Sequence, residues 1–218
     1  MDSGMVSSSE CRRKCTRSLA GTNPTLYRES MIFQETPIQG VFVIRPEERC
    51  DSRGFFARLF CESEFSAHRL ETRFVQANAS LSINKGTLRG MHYQLGAAAE
   101  VKLVRCTSGA LYDVALDLRP DSSTFGQWFG VELTAANHTM LYIPRGCAHG
   151  FITLDANTEV FYLVSSPYSP DQERGIRFND PRFSIQWPLP VEHISQKDAG
   201  NPDFDPVYHG MESLRGLL

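Results

Sequence analysis

From Met31 onward the chain alternates short apolar runs with turn signals. GVFVIR (40–45), FFARLF (55–60), RFVQANASLSI (73–83), LRGMHYQ (88–94), VKLVRC (101–106), ALYDVALDL (110–118), QWFGVEL (127–133), TMLYIP (139–144), HGFITL (149–154) and EVFYLVSS (159–166) are rich in β-branched and aromatic residues. Each predicts a strand. One stretch, SEFSAHRLE (63–71), has helical spacing, with Ser63 as a candidate N-cap. Many short strands with few helices predict an all-β antiparallel sandwich or barrel. The Pro-rich tail from Pro181 breaks this rhythm and is expected to wrap the barrel. Residues 1–30 are Ser- and Arg-rich, without apolar periodicity or a secretory h-region, and read as a flexible extension. Residues 31–218 then form a single domain.

Two strands carry polar residues that a plain barrel does not need. In ALYDVALDLR a period of two places Leu111, Asp113, Ala115, Asp117 and Arg119 on one face. Two carboxylates there mean either a solvated outer surface or a barrel interior holding a polar ligand. LRGMHYQ brings Arg89, His92 and Gln94 together. Arg89 and His92, three apart, fall on opposite faces of a regular pleat. They share a ligand only if Gly90 marks a bulge or if Arg89 serves a partner subunit. In LYIPRGCAHGF (141–151) a second histidine, His149, follows a tight turn at a strand start. Two histidines entering one barrel mouth would make a site.

Composition narrows the partners. The 218 residues are 41% hydrophobic and 22% charged, with a net charge of −3, so nothing calls for nucleic acid or an anionic membrane. No apolar run is long enough to span a bilayer. The six cysteines are scattered without a paired framework, so reduced thiols in a cytoplasmic protein are expected. Cys11 and Cys15 could be half of a zinc site, but no matching second pair follows.

Pro144-x-Gly146-x-x-His149 resembles the second motif of the cupin barrels. Metal cupins place His-x-His in the first motif; here that place reads His92-Tyr93-Gln94, which leaves too few ligands for a divalent ion. The expectation is a cupin-type antiparallel barrel (jelly roll) with a few short helices, no metal and no cofactor. Beyond this motif, ordered blocks between about Met31 and Pro206 (SRGFFARLF, FVQANAS, GTLRGMHYQ, KLVRCTSGALYDVALDLRPDSSTFGQW, LYIPRGCAHGF, YSPDQERGIRFNDP, IQWP and ISQKD) resemble the dTDP-4-dehydrorhamnose 3,5-epimerase family. The resemblance implies epimerisation beside the ketone of a nucleotide-linked 4-keto-6-deoxy sugar. Such chemistry needs a base, an acid across the ring and a group to hold the enolate charge.

On that resemblance His92 is the base. Asp198 is the carboxylate that orients it, with Asp113 as fallback. Tyr162 is the proton donor on the opposite face, and Lys102 the cation beside the C4 oxygen. Arg53, Arg89 and Lys197 are implied to meet the diphosphate or nearby sugar oxygens. Gln76, Asn78, His149 and Glu173 are implied to make further ligand contacts, and Tyr168 to stack on the base. A homodimer is implied, with one subunit's strand completing the other's site. Three positions depart from the family pattern. Arg58 stands where the family's Glu meets the thymine edge, which favours a base presenting acceptors. Glu100-Val101-Lys102 replaces Gln-Gly-Lys, and Cys147 replaces Phe; both read as neutral drift. A sugar 3,4-ketoisomerase and a non-catalytic nucleotide-sugar binding cupin are the alternatives.

Overall fold

A computed structural model describes residues 31–217. The expected extension at 1–30, with Cys11 and Cys15, lies outside the described residues. In chain order the strands are β1 (Met31–Glu35), β2 (Phe42–Pro46), β3 (Arg49–Asp51), β4 (Gly54–Phe56), β5 (Gln76–Ser82), β6 (Thr87–Gln94), β7 (Lys102–Ser108), β8 (Ala110–Asp117), β9 (Trp128–Thr134), β10 (Met140–Ile143), β11 (Cys147–Thr153), β12 (Thr158–Val164), β13 (Glu173–Gly175) and β14 (His193–Ile194). Among the described residues the α-helices are short, α1 (Glu62–Ala67) and α2 (Gln196–Ala199). No helix there is long and apolar enough to cross a membrane. Two compact units form, residues 31–33 with Arg45–Thr72, and Gln34–Ile44 with residues 73–217.

The larger unit is a two-sheet cupin-type barrel. One sheet runs β1-β2-β10-β7-β12-β5; the other runs β13-β6-β11-β8-β9, with β14 also on β6. The pairings among β2, β10, β7, β12 and β5, and among β13, β6, β11, β8 and β9, are antiparallel, and β14 lies parallel to β6. Their inner faces meet in a core that joins Val43, Val104, Leu141 and Val160 of the first sheet to Leu111, Ala115, Leu133 and Phe151 of the second. The alternation along β8 is therefore buried on both sides. Leu111 and Ala115 face this core, while Val114 and Leu116 pack with Ile176 and with Phe183, Ile185, Met211 and Leu214 of the tail. The tail thus covers the outer face of the second sheet, as its composition suggested. Asp113 and Asp117 are fully buried, so the solvated-surface reading of their face is wrong. Asp117 is consumed structurally by Arg119, Ser122 and Thr124. Cys147 sits in the core, where burial pushes its thiol up.

The smaller unit departs most from the sequence expectation. FFARLF is not a strand: only Gly54–Phe56 pairs, with β3, and residues 57–60 take no regular structure. Aromatic residues favour strands only where a partner strand receives them, and Phe55 and Phe56 remain exposed. The helix is shorter than its pattern. Ser63 lies inside its first turn rather than at the cap, which is Cys61, and Arg69 (φ 60) turns the chain left-handed after Ala67. Phe33, Phe60 and Phe65 cluster against this helix. Buried Glu64 accepts from the Met31 backbone N–H and from Arg58 Nη1.

Candidate active site

Strand β6 organises the site because it breaks its own pleat. His149 opposes His92 and Phe151 opposes Arg89, so between these pairs one residue of β11, Gly150, faces two of β6, Gly90 and Met91. The extra residue is a bulge at Gly90, which adopts φ 120. A Cβ at Gly90 would lie 2.5 Å from Gly150 Cα and 2.7 Å from the His149 carbonyl oxygen, so only glycine fits. The bulge turns Arg89 and His92 to one side, where both line the same cavity. On the other edge of β6, β13 pairs with His92–Gln94 and β14 with Thr87–Leu88. Gly90 falls in the gap between them. Its N–H, left without a strand partner there, donates to Asp198 Oδ2 at 3.3 Å.

That carboxylate also holds His92, with Nε2 2.7 Å from Asp198 Oδ1. Asp198 rides on α2, where Ser195 caps the helix by accepting the Asp198 N–H. Burial pushes its carboxyl up, but the His92 bond and charge, the Gly90 N–H and Ser195 outweigh this and hold it below the usual carboxylate range. An ionised carboxylate only accepts, so Nε2 of His92 carries a ring proton, and in the neutral ring the lone pair is then on Nδ1. Asp113, the fallback partner, binds His149 Nε2 instead, at 2.7 Å.

Across the barrel, β7 and β12 supply Lys102 and Tyr162. Tyr162 opposes Val104 and Lys102 opposes Val164, so the two are diagonal neighbours on one face. Two adjoining cavities of about 520 and 350 Å³ open here. His92, Lys102 and Tyr162 line both, and therefore stand where the two lobes meet. Arg89, His149, Lys197 and Asp198 line the larger lobe. Gln76, Asn78, Tyr168 and Glu173 line the smaller. Burial raises the Tyr162 phenol, with nearby Glu100 adding to the rise and Arg89 opposing it. A phenol so placed stays protonated at neutral pH and can donate.

At the rim, Glu173 accepts from Tyr168 Oη at 2.8 Å and from Lys197 Nζ at 2.5 Å. These bonds overcome burial and depress the Glu173 carboxyl, while Glu173 raises Lys197. Arg53 and Arg58 belong to the smaller unit and do not line the cleft. Arg53 is exposed and paired with Asp51. Arg58 pairs with Glu64 at 3.0 Å.

Sequence reasoning missed several lining residues, among them Ser80, Thr87 and Ser195 of the larger lobe and Glu100 of the smaller. Glu100, read as drift, is engaged by two neighbours. Its Oε1 lies 3.1 Å from Lys102 Nζ and its Oε2 accepts from Gln94 Nε2 at 2.7 Å. Spacing offered the signal, since residues two apart in extended chain share a face. Gln94, read as a lost metal ligand, has its amide engaged by Glu100, the Ala98 and Pro167 carbonyls and the Ser169 N–H. Among the described residues no three His, Cys, Asp or Glu side chains are grouped to hold a metal ion.

Comparison with known proteins converges on one family. A sequence model described as dTDP-4-dehydrorhamnose 3,5-epimerase matches residues 35–205. A dTDP-4-dehydrorhamnose 3,5-epimerase from Sinorhizobium fredii is 44% identical over 175 residues, covering 80% of this chain and 90% of the relative. The crystal structure of the Bacillus anthracis enzyme of that name, with TDP and PPi bound, superposes with a TM-score of 0.77 at 40% identity, over 80% of this chain and 99% of that one. A 3'-monoepimerase from Streptomyces bikiniensis in complex with dTDP-quinovose superposes with a TM-score of 0.75 at 30% identity, over 82% and 91% of the two chains.

Proposed function

The chain belongs to the dTDP-4-dehydrorhamnose 3,5-epimerase family, and from that premise we propose that it inverts C3, C5 or both of a nucleotide-linked 4-keto-6-deoxyhexose in deoxysugar biosynthesis. The observation that carries this reading is the junction of the two lobes. A ligand lying across both lobes meets His92, Lys102 and Tyr162 together.

The chemistry follows from the three groups. Nδ1 of His92 takes the proton from the carbon beside the ketone, and Asp198 stabilises the imidazolium that forms. Lys102 donates to the C4 oxygen, where the enolate charge develops. Tyr162 returns a proton from the opposite wall, which inverts the carbon. Arg89 and Lys197 bring positive charge for the diphosphate or adjacent sugar oxygens. The relatives include both 3,5-epimerases and a 3'-monoepimerase, so the number of centres inverted rests on how the ring is presented.

Two further elements complete the proposal. Solved relatives hold TDP or dTDP-quinovose, which supports a thymidine nucleotide, while Arg58, paired with Glu64, is the position at which a different base would be selected. The chain acts as a homodimer, and Arg53 meets the ligand bound by the second subunit. The exposed Leu81 and Ile83 along edge strand β5 support an association through this sheet.

The test is to incubate the protein with dTDP-4-keto-6-deoxyglucose in D₂O and follow H3 and H5 by NMR. Deuterium entering at one or both carbons, and lost in His92→Ala, is the expected result. No exchange at either carbon would overturn the reading, and a displaced carbonyl would point to a ketoisomerase. Tight CDP binding with weak dTDP binding would establish a base-selecting role for Arg58.

A further inference from the structure

We propose that Glu100 is a positioning residue that aims the Lys102 ammonium at the junction of the two lobes, an inference that rests on the reading of Lys102 as the donor to the substrate's ketone oxygen. Lys102 has three N–H donors on a flexible four-carbon stem. Its Nζ forms an ion pair with Glu100, 3.1 Å from Oε1, and one N–H donates to the His92 backbone carbonyl at 3.3 Å. An ion pair to one segment and a hydrogen bond to another fix where the ammonium stands, at the junction that Lys102 lines in both lobes. Without Glu100 the ammonium would keep only the weaker carbonyl contact.

Glu100 is itself held. Its second oxygen accepts from Gln94, whose amide also accepts the Ser169 N–H and donates to the Pro167 carbonyl, on either side of Tyr168. The backbone behind it is clamped as well. The Val101 N–H donates to Ser165 Oγ, the Ser165 N–H donates to the Val101 carbonyl, and the Val101 side chain is buried. Both members of the ion pair are nearly buried, at 7% and 12% side-chain exposure. Taking two charges from water costs more than a surface pair returns, so the arrangement is not explained by stability. It does explain direction. A paired ammonium is a poor general anion trap, yet it keeps one oriented donor where charge develops during the reaction.

The test uses Glu100→Gln and Glu100→Asp in the full chain. Glu100→Gln removes the charge; the family pattern follows a glutamine here with glycine, whereas Val101 of this chain is buried and clamped, so the substitution tests the charge in this chain's own backbone. It is expected to lower the deuterium-exchange kcat by at least about tenfold, as displacement of a catalytic donor does, with KM changed far less. Glu100→Asp keeps the charge and is expected to recover much of that loss. A crystal structure of Glu100→Gln should show Lys102 swung away from its place between β6 and β7. Exchange at the parental rate in Glu100→Gln, an Asp variant no better than the Gln variant, or an unmoved Lys102 would each overturn the inference. If the parent protein itself exchanges nothing, the functional reading fails instead, and the position of Lys102 in the variant structure still decides the role of Glu100.

Discussion

Replacing Asp198 with Asn tests the acid–base pair at its most exposed point of logic. The substitution preserves shape and removes the charge, and its single amide oxygen can still accept from His92 while the NH2 takes the place of the oxygen that met the Gly90 N–H. His92 becomes cationic when it takes a proton, and Asp198 lies 2.7 Å from its Nε2. Two unit charges with centres about 4 Å apart interact by roughly 4 kcal/mol at the effective dielectric of a protein site. His92 is partly open to solvent, with 30% side-chain exposure, which reduces this to about 3 kcal/mol. The expected cost is therefore on the order of a hundredfold in rate. The assay is the initial rate of deuterium entry beside the ketone in D₂O, with circular dichroism and nucleotide titration as controls for folding and binding. Exchange in Asp198→Asn at the parental rate, with folding and binding intact, would refute the assignment of His92–Asp198 as the base.

Three other outcomes follow from the same geometry. Tyr162→Phe removes the donor but not the base, so exchange should persist while inverted product falls by roughly a hundredfold or more; chiral analysis of the product separates the two. Gly90→Ala forces a Cβ against the Gly150 and His149 backbone at positive φ and should cost about 3 kcal/mol or more, seen as a lower urea midpoint. Asp117 is pushed up by burial but held below its ordinary range by Arg119, Ser122 and Thr124. A depressed carboxyl stabilises the fold above its unfolded pKa of about 4 and loses that contribution as pH falls through the lower folded value. Asp117→Asn should therefore be less stable at neutral pH and lose stability less steeply below about pH 4 in acid titrations.

The strands of the barrel were legible because alternation and apolar runs report burial directly, and β8 shows it with one face in each core. The awkward spacing of Arg89 and His92 was itself informative, since a three-residue separation on one site demanded the bulge that Gly90 provides. What failed in the sequence were features that depend on partners. FFARLF has the composition of a strand, yet only Gly54–Phe56 has a strand beside it. The pairings of Asp198 with His92 and Asp113 with His149 join residues 106 and 36 positions apart. No local pattern distinguishes the two carboxylates; the family resemblance chose between them. Glu100 was passed over because a change from a neutral to an acidic residue reads as noise until the lysine it faces is in view.

The contact from the Gly90 N–H to Asp198 separates the durable part of this site from its adaptable part. The carboxylate that serves His92 is anchored by main chain, through a bulge that any sequence retaining the glycine can form. The lobes on either side are walled by side chains alone, such as Ser80, Thr87, Gln76 and Asn78. On the proposed reading, such a scaffold can change the sugars and nucleotides it accepts by changing wall residues one at a time, while the His92–Asp198 pair is kept. Diversification of substrate range need not pass through an inactive ancestor.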